Sequence, residues 1–269
     1  MERKTYTGTI LRAIRLYYNY TQSDFAAILG VSQASLSKLE AHQVGLSADQ
    51  WIGLCMKFSL DPHCLTTGII QAIPRNINGS GYRLPKIYSA NHMATVRYIY
   101  PLIRLMKKIL GESYYEKFLK DNKIDSSYFT ILSNPINANI IQLFFLDLYK
   151  HRNLNNDIFN ELLALLSHEE NYPALIKNLD RNLSIEEKYQ AIFTLFRKHF
   201  NQDIDFMLNY ADGPIASSLS NTEEASDFGS KFKMDYLAAF ANSFDYTDTP
   251  QWNLKVERID SGWGLYRVS

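Results

Sequence analysis

At 269 residues, 46% hydrophobic and 21% charged, the chain has the composition of an ordinary globular protein and enough length for two cores. Its 28 basic and 28 acidic residues leave no overall field to gather polyanions, so nucleic-acid binding would have to come from a local surface. The first twenty residues break their apolar positions with Arg and lack a small-residue cleavage site, no segment reaches the apolar length of a membrane span, and Cys55 and Cys64 are too few for a disulfide framework, so the expected setting is a cytoplasm.

In chain order, Ile10, Leu11, Ile14 and Tyr17 or Tyr18 follow helical spacing and predict a first helix over about residues 8–19. Thr21 then opens a second helix: its hydroxyl can accept from the N–H of Asp24, whose carboxylate can reach back, as in a capping box with Asp replacing Glu. Phe25, Ala26, Ile28 and Leu29 give that helix an apolar face, and Gly30 stands where a left-handed end is needed. Ser32 caps a third helix anchored by Leu36 and Leu39, which leaves Gln33, Ala34, Ser35, Ser37 and Lys38 on the remaining surface. Small or hydrogen-bonding side chains at the start of a helix suit close approach to base edges in a major groove. Ser47 caps a further helix whose Trp51, Leu54 and Phe58 can close a small core, and the module ends near Pro62. Through Pro62 there are six basic and five acidic residues, so one copy would make few phosphate contacts.

Over roughly residues 7–61 this stretch resembles the phage-repressor (Xre/Cro) type of helix-turn-helix. The likeness rests on Arg15, Thr21-Gln22, Phe25-Ala26, Leu29-Gly30-Val31-Ser32 and the run from Ser37 to Glu40. It implies a five-helix domain with Arg15, Thr21, Gln22, Ser32, Gln33, Ala34, Ser35, Ser37, Lys38 and His42 at double-stranded DNA. In the family the first glutamine, here Gln22, can brace the second, here Gln33, which presents its amide to adenine. The chain departs from the family at His42-Gln43-Val44, where a basic, Gly- or Pro-containing turn is common. The competing reading is a helical protein-interaction or scaffold module without specific DNA binding.

Residues 70–92, with Pro74, Gly79, Gly81 and Pro85 and little periodicity, read as a linker between a domain at 1–69 and one at 93–269. Helices are expected at 98–110, 113–121, 134–150, 157–167 and 184–200, the last opened by a Ser184–Glu187 capping box. Alternation in IDFMLNY predicts a strand, a helix is expected around 231–244, and WNLKVERIDSGWGLYRV reads as a hairpin turning at Asp260-Ser261-Gly262. The fold class expected is mainly α, with a helical second domain that carries a small antiparallel sheet (α+β) near its C-terminal end.

The run YYEKFLKDNKIDSSYFTILSNPINANIIQLFFLDLYKH, with NLSIEEKYQAIFTLFRKHF, IDFMLNY and TPQWNLKVERI, resembles the effector-binding domains of some AraC-type regulators. That likeness implies a small-molecule sensor and supplies no ligand-contacting residue. A fainter likeness to haem-nitric-oxide-binding domains, carried by GESYYEKFLKDNKI, wants a proximal histidine on the helix before the sheet; residues 184–192 hold none and His199 lies at the helix end, so no cofactor is expected. Cys55, His63 and Cys64 match no tight zinc spacing, and no metal is expected. The remaining histidines are scattered beside polar residues, the pairs Glu169-Glu170 and Glu186-Glu187 sit where helix starts favour carboxylates, and neither a phosphate loop nor a nucleophile elbow occurs, so no enzyme is expected. The aromatics Tyr114, Tyr115, Phe118, Phe144, Phe145, Tyr149, Phe193, Phe196 and Tyr210 could line an apolar pocket or pack a helical core. The expectation is a sequence-specific transcriptional regulator that works as a homodimer held mainly by residues after Met93, with a small-molecule effector as a further partner.

Overall fold

The computed structural model describes residues 6–42, 44–76, 79–152, 161, 165, 183–199, 204–209, 215–220, 254–260 and 263–268. The chain divides into two compact units, one formed by Met1–Ala90 with Leu110–Asn134 and the other by Asn91–Ile109 with Pro135–Ser269. These units follow packing rather than the sequence divisions at residues 69 and 92. No helix among the described residues is long and apolar enough to cross a membrane.

The first unit begins with helices α1 (Thr7–Tyr17), α2 (Gln22–Leu29), α3 (Gln33–Glu40), α4 (Ala48–Phe58) and α5 (Cys64–Thr67). One core joins them, with Ile10, Leu11 and Ile14 from α1, Phe25 from α2, Leu36 and Leu39 from α3, and Trp51, Leu54 and Phe58 from α4. Each such side chain withdrawn from water contributes about 1.5–3 kcal/mol. Helix α1 stops earlier than its spacing suggests because Asn19 takes a left-handed φ of 58° and its N–H turns back to the Leu16 carbonyl at 3.2 Å. Tyr18 then packs its ring on Phe58 at 5.2 Å, and Tyr20 stacks on Phe25 at 6.0 Å. Cys55 and Cys64 are buried, and burial pushes the Cys64 thiol up to about 12.

Residues beyond α5 close the unit around α1. Ile70 forms a parallel bridge to Ile131, donating to the Thr130 carbonyl at 2.8 Å and accepting from Leu132 at 2.9 Å. Helix α7 (Glu112–Asp121) leads into a 3-10 turn, Ser126–Thr130, capped by Asp125, whose carboxylate accepts from the Ser127 N–H at 3.1 Å. That carboxylate also takes the Arg12 guanidinium of α1, with Nε at 3.0 Å and Nη2 at 2.5 Å from Oδ2. The Tyr82 hydroxyl lies 3.1 Å from the Ala13 carbonyl and 3.0 Å from the Ser127 carbonyl, tying loop, helix and 3-10 turn at one point.

The second unit carries a short antiparallel pair, β1 (Ala94–Thr95) with β2 (Pro135–Ile136), and helices α6 (Val96–Leu110), α8 (Ala138–Arg152) and α9 (Ile185–His199). Helix α8 starts later than expected because Asn137 accepts the Ile140 N–H at 3.1 Å and so caps it. Helix α9 has the expected box: Glu187 donates its N–H to Ser184 Oγ at 3.3 Å, and its carboxylate accepts the Ser184 N–H at 2.9 Å. Tyr98 of α6 meets Phe196 of α9 edge to face at 6.3 Å. Strands β3 (Ile204–Asn209), β4 (Ile215–Ser220), β5 (Leu254–Asp260) and β6 (Trp263–Val268) form an antiparallel sheet in the order β3-β4-β6-β5. The expected hairpin is β5–β6, joined through residues 261–262, with a register shift between Val256 and Arg258. Strand β4 has no counterpart in the sequence reading, since the serines of IASSLS hide the alternation of Ile215 and Leu219. The expected helix at 231–244 lies outside the described residues, as does that at 157–167 apart from residues 161 and 165. The fold is mainly α with a helix-turn-helix region first and a small antiparallel sheet toward the C-terminal end.

Candidate nucleic-acid interface

The two helices of the TQSDFAAILGVSQASLSKLE stretch are set by their ends. Thr21 accepts the Asp24 N–H at 3.1 Å while Asp24 accepts the Thr21 N–H at 3.3 Å, completing the box at the start of α2. At the other end Gly30 adopts φ 67°, and the Gly30 and Val31 amides donate to the Ala27 and Ala26 carbonyls at 3.2 and 3.0 Å. This double closure is a Schellman arrangement, and it turns the chain sharply into α3. Ser32 Oγ accepts the Ser35 N–H at 3.1 Å and so caps α3. The two helices are thus joined rigidly with three residues between them.

Leu36 and Leu39 are buried, at 0% and 4% exposure, which fixes the rotation of α3 about its axis. Gln33, Ala34, Ser35, Ser37 and Lys38 are consequently all exposed and share its outer surface. The surface is polar, narrow and free of branched apolar side chains. Ser35 is partly committed, since its hydroxyl lies 2.8 Å from Ser32 Oγ.

A buried charge hub holds this surface in place. Arg15 of α1 is 8% exposed, and its Nε and Nη2 donate to Glu40 Oε1 and Oε2 at 2.6 and 2.9 Å. Gln22, the first residue of α2, donates from Nε2 to the same Oε2 at 3.2 Å. Glu40 at the end of α3 therefore joins all three helices. Two expected roles are redirected by this geometry: Gln22 braces Glu40 rather than Gln33, and the Arg15 guanidinium faces inward to its carboxylate partner. Glu40 is not among the residues the family likeness points to at DNA, yet the sequence carries its signal. Arg15 follows Leu11, and Glu40 follows Leu36, by one helical turn, so a cation and an anion both fall on core-facing stripes and must pair there.

His42 lies apart from the α3 surface. It adopts φ 58° and its Nε2 sits 3.2 Å from Thr9 Oγ1, at the start of α1. The close crossing of α1 and α3 depends on Gly8, where a Cβ would come 2.6 Å from the Leu39 carbonyl oxygen. The aromatic set considered as a pocket is divided between the compact units: Tyr115 and Phe118 are buried in the first, Phe144, Phe193 and Phe196 in the second. Among the described residues no group of three or more His, Cys, Asp or Glu could hold a metal ion.

The helix-turn-helix family model matches residues 11–60, a span that begins inside α1 and ends just after α4. The N-terminal region is a helix-turn-helix. No curated protein matches the chain.

Proposed function

We propose that the protein is a sequence-specific DNA-binding transcriptional regulator in which α3 enters the major groove. The observation that carries this reading is the joint geometry of α2 and α3: a capped pair with a fixed turn, inside the matched span, presenting Gln33, Ala34, Ser35, Ser37 and Lys38 outward while Leu36, Leu39 and Glu40 lock the helix behind them. Gln33, next to the N-cap, is the base reader, because a side-chain amide can bond adenine through both its donor and its acceptor. Lys38 supplies phosphate attraction one turn further on. Selection of bound duplexes from a random pool tests the reading. Enrichment of a defined sequence supports it; a chain that enriches nothing at moderate salt is a protein-interaction module on a helix-turn-helix scaffold.

The second unit acts in effector binding, dimerisation or both. One reading helix covers only a few base pairs, and two linked copies make the second binding event intramolecular, which supports a homodimer on half-sites related by two-fold symmetry. The order of helices followed by a small sheet is what supports the AraC-type likeness and hence a sensing role. Light scattering on the full chain, with footprinting of its selected duplex, tests the dimer: a monomer on a single half-site removes it from the mechanism. A thermal-shift screen of small metabolites tests sensing, and a ligand that leaves operator affinity unchanged removes the regulatory claim. The protein works in a cytoplasm and without catalysis on this reading.

A further inference from the structure

Between Asp61 and Glu112 the sequence contains no Asp or Glu. The part of this stretch that belongs to the first unit carries three cations, Arg75, Arg83 and Lys86. They raise the formal balance from six basic against five acidic over residues 1–62 to nine against five over residues 1–92. All three are exposed, and none makes an ion pair among the described residues.

The backbone that bears them is fastened to the reader. The Tyr18 hydroxyl donates to the Pro74 carbonyl at 2.9 Å, Asn76 Nδ2 donates to the Tyr17 carbonyl at 2.6 Å, and the Gly81 N–H donates to the Leu16 carbonyl at 2.7 Å. Leu16 and Tyr17 lie in the last turn of α1, and the segment adds a donor to each of their carbonyls, that of Leu16 also accepting the Asn19 N–H at 3.2 Å, so it helps to cap that helix. Gly81 sits so close that a Cβ there would come 2.8 Å from Asn19 Oδ1. Asn19 belongs to the turn that leads into Thr21 and α2. The cationic segment is thus held beside the entry to the two reading helices, and Tyr82, next to Arg83, anchors it again on Ala13 and Ser127.

We propose that residues 74–76 and 79–86 carry a second DNA-binding element: an arm whose Arg75, Arg83 and Lys86 take backbone phosphates flanking the base pairs read by α3. Charges placed without carboxylate partners on a fastened backbone lose little freedom when they meet a polyanion, and a reader of near-neutral charge gains its missing nonspecific affinity from them. Backbone phosphate is the ligand class, because the three side chains offer only donors with positive charge and lie outside the helix that enters the groove, where phosphate oxygens are the acceptors a duplex presents at every base pair. The inference rests on the proposed DNA reading.

The test is the salt dependence of duplex affinity for the full chain, comparing the wild type with the triple variant Arg75→Gln, Arg83→Gln, Lys86→Gln. Each phosphate contact contributes about 0.9 to the slope of log affinity against log salt, so the triple variant should lower the slope by about 2–3 per bound chain. A slope change of about 2.7 corresponds to roughly 40-fold less loss of affinity across a fourfold rise in salt. The weakening should be equal on selected and scrambled duplexes, with the preferred sequence unchanged. The control Lys117→Gln, Lys120→Gln, Lys123→Gln removes the same charge from α7 and the turn after it, and should leave the slope near wild type. An unchanged slope in the arm variant with selection retained overturns the arm and leaves the DNA reading standing. An equal effect in the control overturns it also, because net charge alone would then suffice. A wild type that binds no duplex removes the DNA reading itself.

Discussion

Replacing Arg15 with Ala isolates the hub that orients α3. The ion pair is short at both contacts, 2.6 and 2.9 Å, and its side chains are only 10% and 5% exposed for Arg15 and Glu40. An exposed pair would contribute about 0–1 kcal/mol, whereas removing one member of a buried pair costs about 3–5 kcal/mol because the other charge is left without compensation. Among the described residues Gln22 is the one remaining donor at the orphaned Glu40 carboxylate, at 3.2 Å, and a single amide restores only part of that loss. A cost of this size is a large share of the ~5–15 kcal/mol that holds an ordinary domain folded. The double variant Arg15→Met, Glu40→Leu should recover most of it, since an apolar pair of similar volume buries no charge. Urea unfolding of the full chain measures the differences, and amide hydrogen exchange over residues 7–40 assigns them to the first unit. Single variants that cost under about 1 kcal/mol, or a double variant as damaging as both singles together, would refute the hub as the element that sets α3.

In duplex selection, Gln33→Ala should lose base preference at one position of the selected sequence by about 1–3 kcal/mol with the fold retained, while Lys38→Ala should weaken all duplexes alike and lower the salt slope by about 1. Gly8→Ala should destabilise the first unit by about 1–3 kcal/mol in thermal melting, because the added Cβ meets the Leu39 and Glu40 carbonyl oxygens at 2.6 and 2.8 Å and backbone must shift. Burial alone would raise the Asp125 carboxyl, but the hydrogen bonds from Arg12 and Ser127 and the Arg12 charge outweigh it and hold it below the usual carboxylate range. Its contribution is therefore complete above the ordinary Asp value of about 3.9 and is lost as pH falls through the lower folded value. Asp125→Asn should flatten the acid limb of a stability profile of the full chain, and an unchanged limb would show that the Arg12 contact adds nothing.

The sequence by itself determined what lies within a turn or two of each residue. Thr21, Gly30, Ser32, Ser47 and Ser184 fixed element ends because capping is a contact between a side chain and a backbone group at most a few positions away. Leu36 and Leu39 fixed which side of α3 turns inward, because helical periodicity converts spacing directly into a face. Tertiary structure decided the partners that are distant in sequence. Arg15 and Glu40 meet across 25 residues, and their pairing turned a residue expected at DNA into the post behind the reading helix. Residues 110–134, continuous with the later helices in periodicity, belong with α1 because Asp125 finds Arg12 across 113 residues and Ile131 finds Ile70. The stretch that reads as a linker is fastened along α1 by Asn76, Gly81 and Tyr82, since each carbonyl has two lone pairs and those toward a helix end accept a donor that packing brings to them. Spacing along the chain carries no record of such meetings; burial decides them, by making an unpaired charge or amide too costly to leave.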